Sequence, residues 1–289
     1  MARSPERREL RDRRRRGRLP SDRRRSEDRR AFQIMAACAV TIGALIVLGV
    51  MSQRPATDRA TGCVAGQVTP NGHTLVLVDQ TDALTVRQID YVKSLILAEY
   101  AGLREGDRLT VRALDADPDA RGREWSRCRV RRGTDASGVT DNPEMIEADF
   151  RRIVGEPLNA YLDGLARQPQ SDASPILETV NSAFDAPDFG PNVDRRRLVV
   201  VSDLAQHSTL NDQYADDGDR FDVQPAVRRS LARDMRGVDV RLHYVPRRPL
   251  VRLQTDEHRR FWREWFRTQG ADVELGWGLQ MAPEAPNAS

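Results

Sequence analysis

Two apolar runs that each end in an aspartate decide the fold: Thr74-Leu75-Val76-Leu77-Val78-Asp79 and Leu198-Val199-Val200-Val201-Ser202-Asp203. A strand with one solvent-exposed face alternates apolar and polar residues, whereas both of these runs are apolar at nearly every position. Continuous apolar strands are typical of parallel sheets that helices cover on both faces. Each run therefore predicts a buried strand with an acidic residue at its carboxyl end.

Helical patterns separate these strands. Thr85 and Gln88 have the spacing of a capping box, and apolar residues recur at helical intervals after them. Further helices are predicted within 143–166, from Ser174-Pro175 onward, and over 223–235 and 255–269, with further strands at 109–113, 125–130 and 238–245. Because strands alternate with helices, we expect a doubly wound, mostly parallel α/β sheet with helices on both faces over residues 73–280.

The amino-terminal part of the chain has the composition of a membrane anchor. Residues 31–53 carry no charged side chain, and a helix of that length can cross a hydrocarbon core. Residues 1–30 hold fourteen arginines and six acidic residues, a balance of +8, and too few apolar residues to fold. We expect 1–30 to be disordered, 31–53 to span the membrane, 54–72 to be a linker and 281–289 to be a frayed tail.

Positive charge beside a span stays in the cytoplasm, which predicts a single-pass inner-membrane protein whose carboxyl-terminal domain is periplasmic. A cleaved signal sequence has a shorter apolar region than this one, and lipoprotein processing at Cys63 lacks the usual aliphatic residue three places earlier. The arginines could instead bind nucleic acid. No aromatic residue before Phe32 offers a base-stacking surface, so we favour membrane topology, with a nucleic-acid or lipid tether as the alternative.

The three cysteines divide by position. Cys38 lies inside the predicted span, whereas Cys63 and Cys128 would both face an oxidising compartment. Those two could pair in a disulfide or remain free. No Cys/His cluster with zinc-ligand spacing occurs in the sequence.

Polar residues gather where the two apolar strands end. Ligands of doubly wound sheets bind at the carboxyl ends of the strands, where Asp79 and Asp203 are predicted to lie. Thr81, Asp82, Ser174 and Ser208 belong to the loops around them. Carboxylates and hydroxyls suit a hard cation such as Mg²⁺, although the same residues also cap helix N-termini. Both interpretations stay open from the residues alone.

The order of three separated segments resembles the von Willebrand factor type A domain family. The segments are Val76-Leu77-Val78-Asp79-Gln80-Thr81-Asp82, Ser174-Pro175-Ile176-Leu177-Glu178 and Leu198-Val199-Val200-Val201-Ser202-Asp203. In that family an Asp-x-Ser-x-Ser sequence, a distant Thr and a distant Asp hold a metal ion that binds an acidic group of a partner protein. The resemblance implies a metal set of Asp79, Thr81, Ser174 and Asp203, with Ala83 in the place of the third hydroxyl.

The sequence fits the known patterns of hydrolytic sites less well than it fits a binding site. A phosphatase with a nucleophilic Asp after a strand needs a second Asp where Thr81 stands, and the only lysine of the chain, Lys93, lies within a predicted helix. Ser202 lacks the flanking glycines of a nucleophile elbow. His207 could act as a base but is more simply a loop histidine. A phosphate or ester hydrolase therefore remains the alternative function.

The sequence thus predicts a membrane-anchored module that binds a protein partner, through a degenerate magnesium-dependent adhesion site. Asp82, Ser202 and His207 are adjacent to the predicted ligands and are the predicted partner-binding residues. Nucleic acid and small-molecule substrates are not the expected ligands.

Overall fold

The computed structural model describes residues 21–51, 57–79, 84–114, 124–138, 141–165, 173–215 and 221–277. The chain divides into two compact units, Met1–Pro55 and Ala56–Ser289. The first contains a single described helix, and the second contains the sheet.

Helix α1 runs from Ser21 to Met51. Its segment Arg29–Gly49 has a mean hydropathy of 2.3 and none of it is buried, so by length and composition this helix can cross a membrane. The prediction of disorder for 1–30 was wrong for residues 21–30, which continue the same helix. Arginine and glutamate are good helix formers, so a helix nucleated by the apolar segment extends into the charged one. Residues 1–20 lie outside the described part.

Six strands form one sheet in the order β3-β2-β1-β4-β5-β6. All neighbours are parallel except β2 and β3, which are antiparallel. The strands are β1 (Gly72–Asp79), β2 (Asp107–Leu114), β3 (Trp125–Cys128), β4 (Arg195–Ser202), β5 (Val238–Tyr244) and β6 (Asp272–Trp277). Strand β6 was missing from the prediction, although Val273, Leu275 and Trp277 alternate with other residues as a strand with one buried face requires.

Seven helices accompany the strands in the described residues. After α1 they are α2 (Val86–Ala101), α3 (Pro143–Phe150), α4 (Glu156–Leu165), α5 (Ile176–Ala183), α6 (Pro225–Ser230) and α7 (Asp256–Arg267), with a π-helical turn over Arg151–Gly155 and 3-10 turns at Gly133–Asp135 and Arg248–Leu250. The capping box at Thr85 is confirmed: its side chain accepts from the backbone of Gln88, whose side chain accepts in return.

Two predicted helices differ from the structure. The helix predicted within 143–166 is divided into α3 and α4 by the π-helical turn over Arg151–Gly155. The helix predicted over 223–235 ends at Ser230 because tertiary hydrogen bonds take over. Arg233 N donates to the side chain of Gln269 at 2.6 Å, and Met235 N donates to the Gln269 carbonyl at 2.9 Å. Bonds to a distant segment thus replace the next helical turn.

The sheet is buried on both faces, which confirms the predicted fold class. Alternate residues of β1 enter different cores: Leu75 and Leu77 pack with α5 and α7, whereas Val76 and Val78 pack with α2, α3 and α4. Three aromatic residues of α7 are buried against the first face: Trp262, Trp265 and Phe266.

The predicted linker 54–72 is folded over part of its length, contrary to the expectation of a free tether. Thr57 forms an antiparallel bridge with Val64, and Cys128 N donates to Thr61 O at 3.0 Å. Cys63 and Cys128 are joined in a disulfide, and both are buried. The segment from Thr57 to Val64 therefore belongs to the α/β unit and is fastened to strand β3.

Candidate functional site

Strands β1 and β4 lie side by side and end together. Their register sets Val78 opposite Val201, so that Asp79 and Ser202 follow as neighbours at the carboxyl edge. Ser202 Oγ donates a hydrogen bond to Asp79 Oδ2 at 2.5 Å, and both residues are 1% exposed. Ser202 also accepts a bond from Leu204 N at 2.7 Å. The hydroxyl thus joins two strand ends and the following turn.

Asp203, one residue further on, has different partners. Its Oδ1 accepts from Ala205 N at 2.9 Å, and its Oδ2 lies 2.9 Å from Nε of Arg247. The carboxylate is 2% exposed and the Arg247 side chain 12%. A buried carboxylate needs a counter-charge, and here a guanidinium supplies it.

The turn after Asp203 contains Leu204, which has a φ of +60° and is fully buried. A branched side chain seldom adopts this conformation, which persists only where the surroundings enforce it. Its carbonyl accepts from Trp262 Nε1 at 2.8 Å and faces His258 Nε2 at 2.9 Å. Helix α7 therefore fixes the turn that carries Asp203.

Ser174 and His207 are paired through their backbones. Ser174 N donates to His207 O at 2.8 Å, and His207 N donates to Ser174 O at 2.9 Å. The Ser174 residue is 4% exposed, and within the described residues its Oγ has no hydrogen-bond partner. The His207 ring contacts Asp212 Oδ1 at 2.9 Å. The structure thus brings these two loops together beside the start of α5.

Helix α5 is not capped as the sequence predicted. Its N-cap is Pro175, with no side-chain cap, and the Ser174 hydroxyl does not serve. Instead Gln206 Oε1 accepts from Leu177 N at 2.9 Å, and Gln206 Nε2 donates to Glu178 at 2.9 Å. Ser208 Oγ also donates to Glu178. A polar side chain from the loop after β4 therefore takes over the capping role.

The described members of the predicted metal set fit Mg²⁺ poorly. Thr81 and Asp82 lie outside the described residues. Asp79 and Asp203 are engaged by Ser202 and by a guanidinium, and among the described residues no three His, Cys, Asp or Glu side chains group closely enough to hold a metal ion. Magnesium needs several oxygens in near-octahedral array. Magnesium binding stays a prediction from the sequence.

The two residues considered for catalysis have separate partners. Ser202 donates to a buried carboxylate, and His207 contacts Asp212 and stacks edge-on with Tyr214. A serine nucleophile requires a base at hydrogen-bond distance. Among the described contacts of Ser202, the hydroxyl donates to the buried Asp79 carboxylate and so links the ends of β4 and β1.

Substituting Ser202 by alanine should destabilise the domain. The buried Asp79 oxygen would lose a donor and Leu204 N would lose its acceptor, so we expect the free energy of unfolding to fall by about 2 kcal/mol. Chemical denaturation of the full-length protein in detergent measures this. Ser230→Ala, which removes an exposed hydroxyl bonded to Val227 O, is the control and should change little. Equal stability of both variants would show that the Ser202 bond is not a junction of the site.

The fold and the site define a class. The chain combines a doubly wound α/β domain with one helix that is long and apolar enough to cross a membrane. The three segments of the von Willebrand type A resemblance end β1, open α5 and end β4 respectively. These features describe an α/β module similar to that domain, in a chain with one described helix that by length and composition could cross a membrane.

Comparisons with known proteins give only distant similarity. No protein-family model and no curated protein matches the sequence. Similar solved structures include an aerotolerance-related membrane protein from Bacteroides fragilis, with 14% identity, 59% of this chain and 66% of that chain covered, and a TM-score of 0.31. Another is the conserved hypothetical protein BatB from Bacteroides thetaiotaomicron, with 13% identity, 60% and 66% covered, and a TM-score of 0.30. The chain spans just under two thirds of each, and likeness this distant supports no statement about function.

Proposed function

We propose that this protein is a membrane-anchored module that binds a protein partner at the carboxyl edge of its sheet. The observation that carries the proposal is the location of the exposed apolar side chains on the domain. Seven large hydrophobic residues are exposed among the described residues of 57–277, and four of them follow strand ends at this edge. They are Val86, Leu210, Tyr214 and Val251, which we call the apolar rim.

Single exposed apolar residues are ordinary on protein surfaces, but their grouping around one edge is typical of a binding surface. Val86 opens α2 after β1, Leu210 and Tyr214 lie in the loop after β4, and Val251 follows β5. Each loop adjoins a predicted site residue. The remaining three, Val68, Leu97 and Met145, lie elsewhere on the domain.

Polar groups accompany the rim. His207 Nδ1 lies 2.9 Å from Asp212 Oδ1, and the two side chains are 42% and 41% exposed. Interfaces commonly combine apolar anchors such as tyrosine with a polar surround. A protein surface with matching apolar residues is therefore the expected partner, and a small-molecule substrate is not.

The membrane arrangement is part of the proposal. Helix α1 would anchor the chain in the inner membrane, with the arginine-rich amino terminus in the cytoplasm and the domain in the periplasm. Support comes from the charge of residues 1–30 and from the disulfide, which suits an oxidising compartment. Protease treatment of spheroplasts should digest the domain, and its protection until the cells are lysed would reverse the orientation.

Substitution of the rim tests the binding function. In the full-length protein in its native membrane, we expect Leu210→Ser, Tyr214→Ser and Val251→Ser combined to reduce partner capture at least about 10-fold, because buried interface anchors contribute most of the affinity. Capture is measured by cross-linking, affinity purification and quantitative mass spectrometry.

The matched control replaces two exposed apolar residues outside the rim. Val68→Ser and Met145→Ser remove side chains that are 71% and 65% exposed, and they should leave capture unchanged. All five residues are exposed, so folding should be preserved. Loss of the same partners in both sets, or in the control alone, would contradict binding at the rim.

A further inference from the structure

Arg247 reaches the carboxyl edge from the loop that follows β5. Its Nε lies 2.9 Å from Asp203 Oδ2, and both side chains are largely buried. Asp203 is the residue that matches the last metal ligand in the von Willebrand type A resemblance. The guanidinium of Arg247 therefore lies beside a carboxylate that, by the resemblance, would bind a metal ion.

The side chain of Gln254 bonds to the backbone of both residues of the Asp203–Arg247 ion pair. Gln254 Nε2 donates to Asp203 O at 3.1 Å and to Val245 O at 2.9 Å, and its Oε1 accepts from Arg247 N at 2.7 Å. Val245 N in turn donates to Ser202 O at 2.8 Å. One glutamine side chain thus positions both members of the ion pair, so their approach is fixed by the fold.

The positive charge of Arg247 determines whether the Asp203 carboxylate can bind a cation. A buried carboxylate is costly without a positive neighbour, and a guanidinium at hydrogen-bond distance supplies one. The same guanidinium repels a divalent cation from the oxygen it contacts, because like charges close together in a partly buried site are screened little. The other strand-end carboxylate, Asp79, already accepts from Ser202.

We infer that Arg247 takes the place of a divalent metal ion at this edge, so that the site keeps its charge balance and its shape without metal. Gln254 is a positioning residue for this built-in cation. The consequence for partner capture, which rests on the proposed function, is that capture does not depend on divalent cations. The consequence for the free protein needs no partner and is tested separately.

Stability variants test the ion pair in the full-length protein in detergent. Arg247→Met should lower the Tm by roughly 10 °C, because it leaves a buried carboxylate without its counter-charge. The double variant Arg247→Met/Asp203→Asn removes both charges and should regain most of that loss. Arg252→Met, an exposed arginine of the same loop, is the control and should melt like the wild type. An Arg247→Met protein that melts within about 2 °C of the wild type would overturn the inference.

Metal addition provides the second arm. With about 10 mM MgCl₂ or MnCl₂ against EDTA, the wild-type Tm should move by no more than about 1 °C, since a ligand stabilises only a state that binds it. A saturable rise of about 5 °C or more would mean that a metal binds despite the guanidinium and would overturn the inference. Either result leaves the rim substitutions to test partner binding independently.

Discussion

Replacing Cys63 and Cys128 together by serine is expected to lower the free energy of unfolding by about 4 kcal/mol, or the Tm by roughly 12 °C. The disulfide joins residues 65 positions apart, so it closes a long loop and restricts the unfolded chain. It also fastens the Thr57–Val64 segment to β3, where otherwise a few backbone bonds hold it. The loss should therefore exceed that from any single hydrogen bond in the domain.

Thermal and denaturant unfolding of the full-length protein in detergent, with and without reductant, measures the effect. Cys38→Ser is the matched control: it removes the third cysteine, which lies in α1 and is not in a disulfide. The control should unfold like the wild type, and reductant should lower the Tm of both to that of the double variant. A double variant within about 1 kcal/mol of the wild type would mean that this cross-link does not stabilise the domain.

Acidification from about pH 6.5 to pH 4 is expected to remove about 3 kcal/mol of stability through His258. This residue is fully buried, and burial lowers its pKa to about 4, although the Leu204 carbonyl opposes the shift. Its Nε2 lies within 3.0 Å of Leu204 O, Gln213 Oε1 and Trp262 Nε1. Its Nδ1 lies 2.7 Å from Tyr244 Oη, so both ring nitrogens have uncharged partners. The folded protein thus holds a neutral imidazole.

The direction of the pH dependence of stability follows from proton binding. Between pH 4 and 6.5 the unfolded chain protonates this histidine and the folded chain does not, so stability is complete above about pH 6.5 and falls as the pH is lowered. His258→Gln should flatten this part of the stability profile. Some slope should remain, because burial also lowers the pKa of His73 and His243. An unchanged slope in His258→Gln would contradict the assignment.

Much of the fold could be predicted because it depends on local patterns. The apolar runs before Asp79 and Ser202 place two buried parallel strands, and the capping box at Thr85 fixes the start of α2. Local patterns mispredict helix ends where side chains distant in the sequence form the hydrogen bonds in place of neighbouring residues. Gln206 caps α5 in place of Ser174, and Gln269 ends the helix that was predicted to reach Met235.

The same reason limits prediction of the site. Asp79 and Ser202 could be placed at one edge because parallel strands end together. Arg247 could not, since it follows Asp203 by 44 positions in a loop with no periodic pattern, and only the path of β5 brings it there. The polar alternation of residues 272–277 did contain a signal for β6. The apolar rim likewise depends on exposure, which a sequence pattern does not give.

The central claim is that a partner protein binds at the apolar rim, and site-specific photo-cross-linking in the native membrane tests it most directly. A photoreactive phenylalanine derivative at Tyr214 or Val251, both exposed, should form a covalent adduct with the same partner. The derivative at Met145 or Val68, which are exposed elsewhere on the domain, should form none. Adducts from Met145 or Val68, with none from Tyr214 and Val251, would contradict the account.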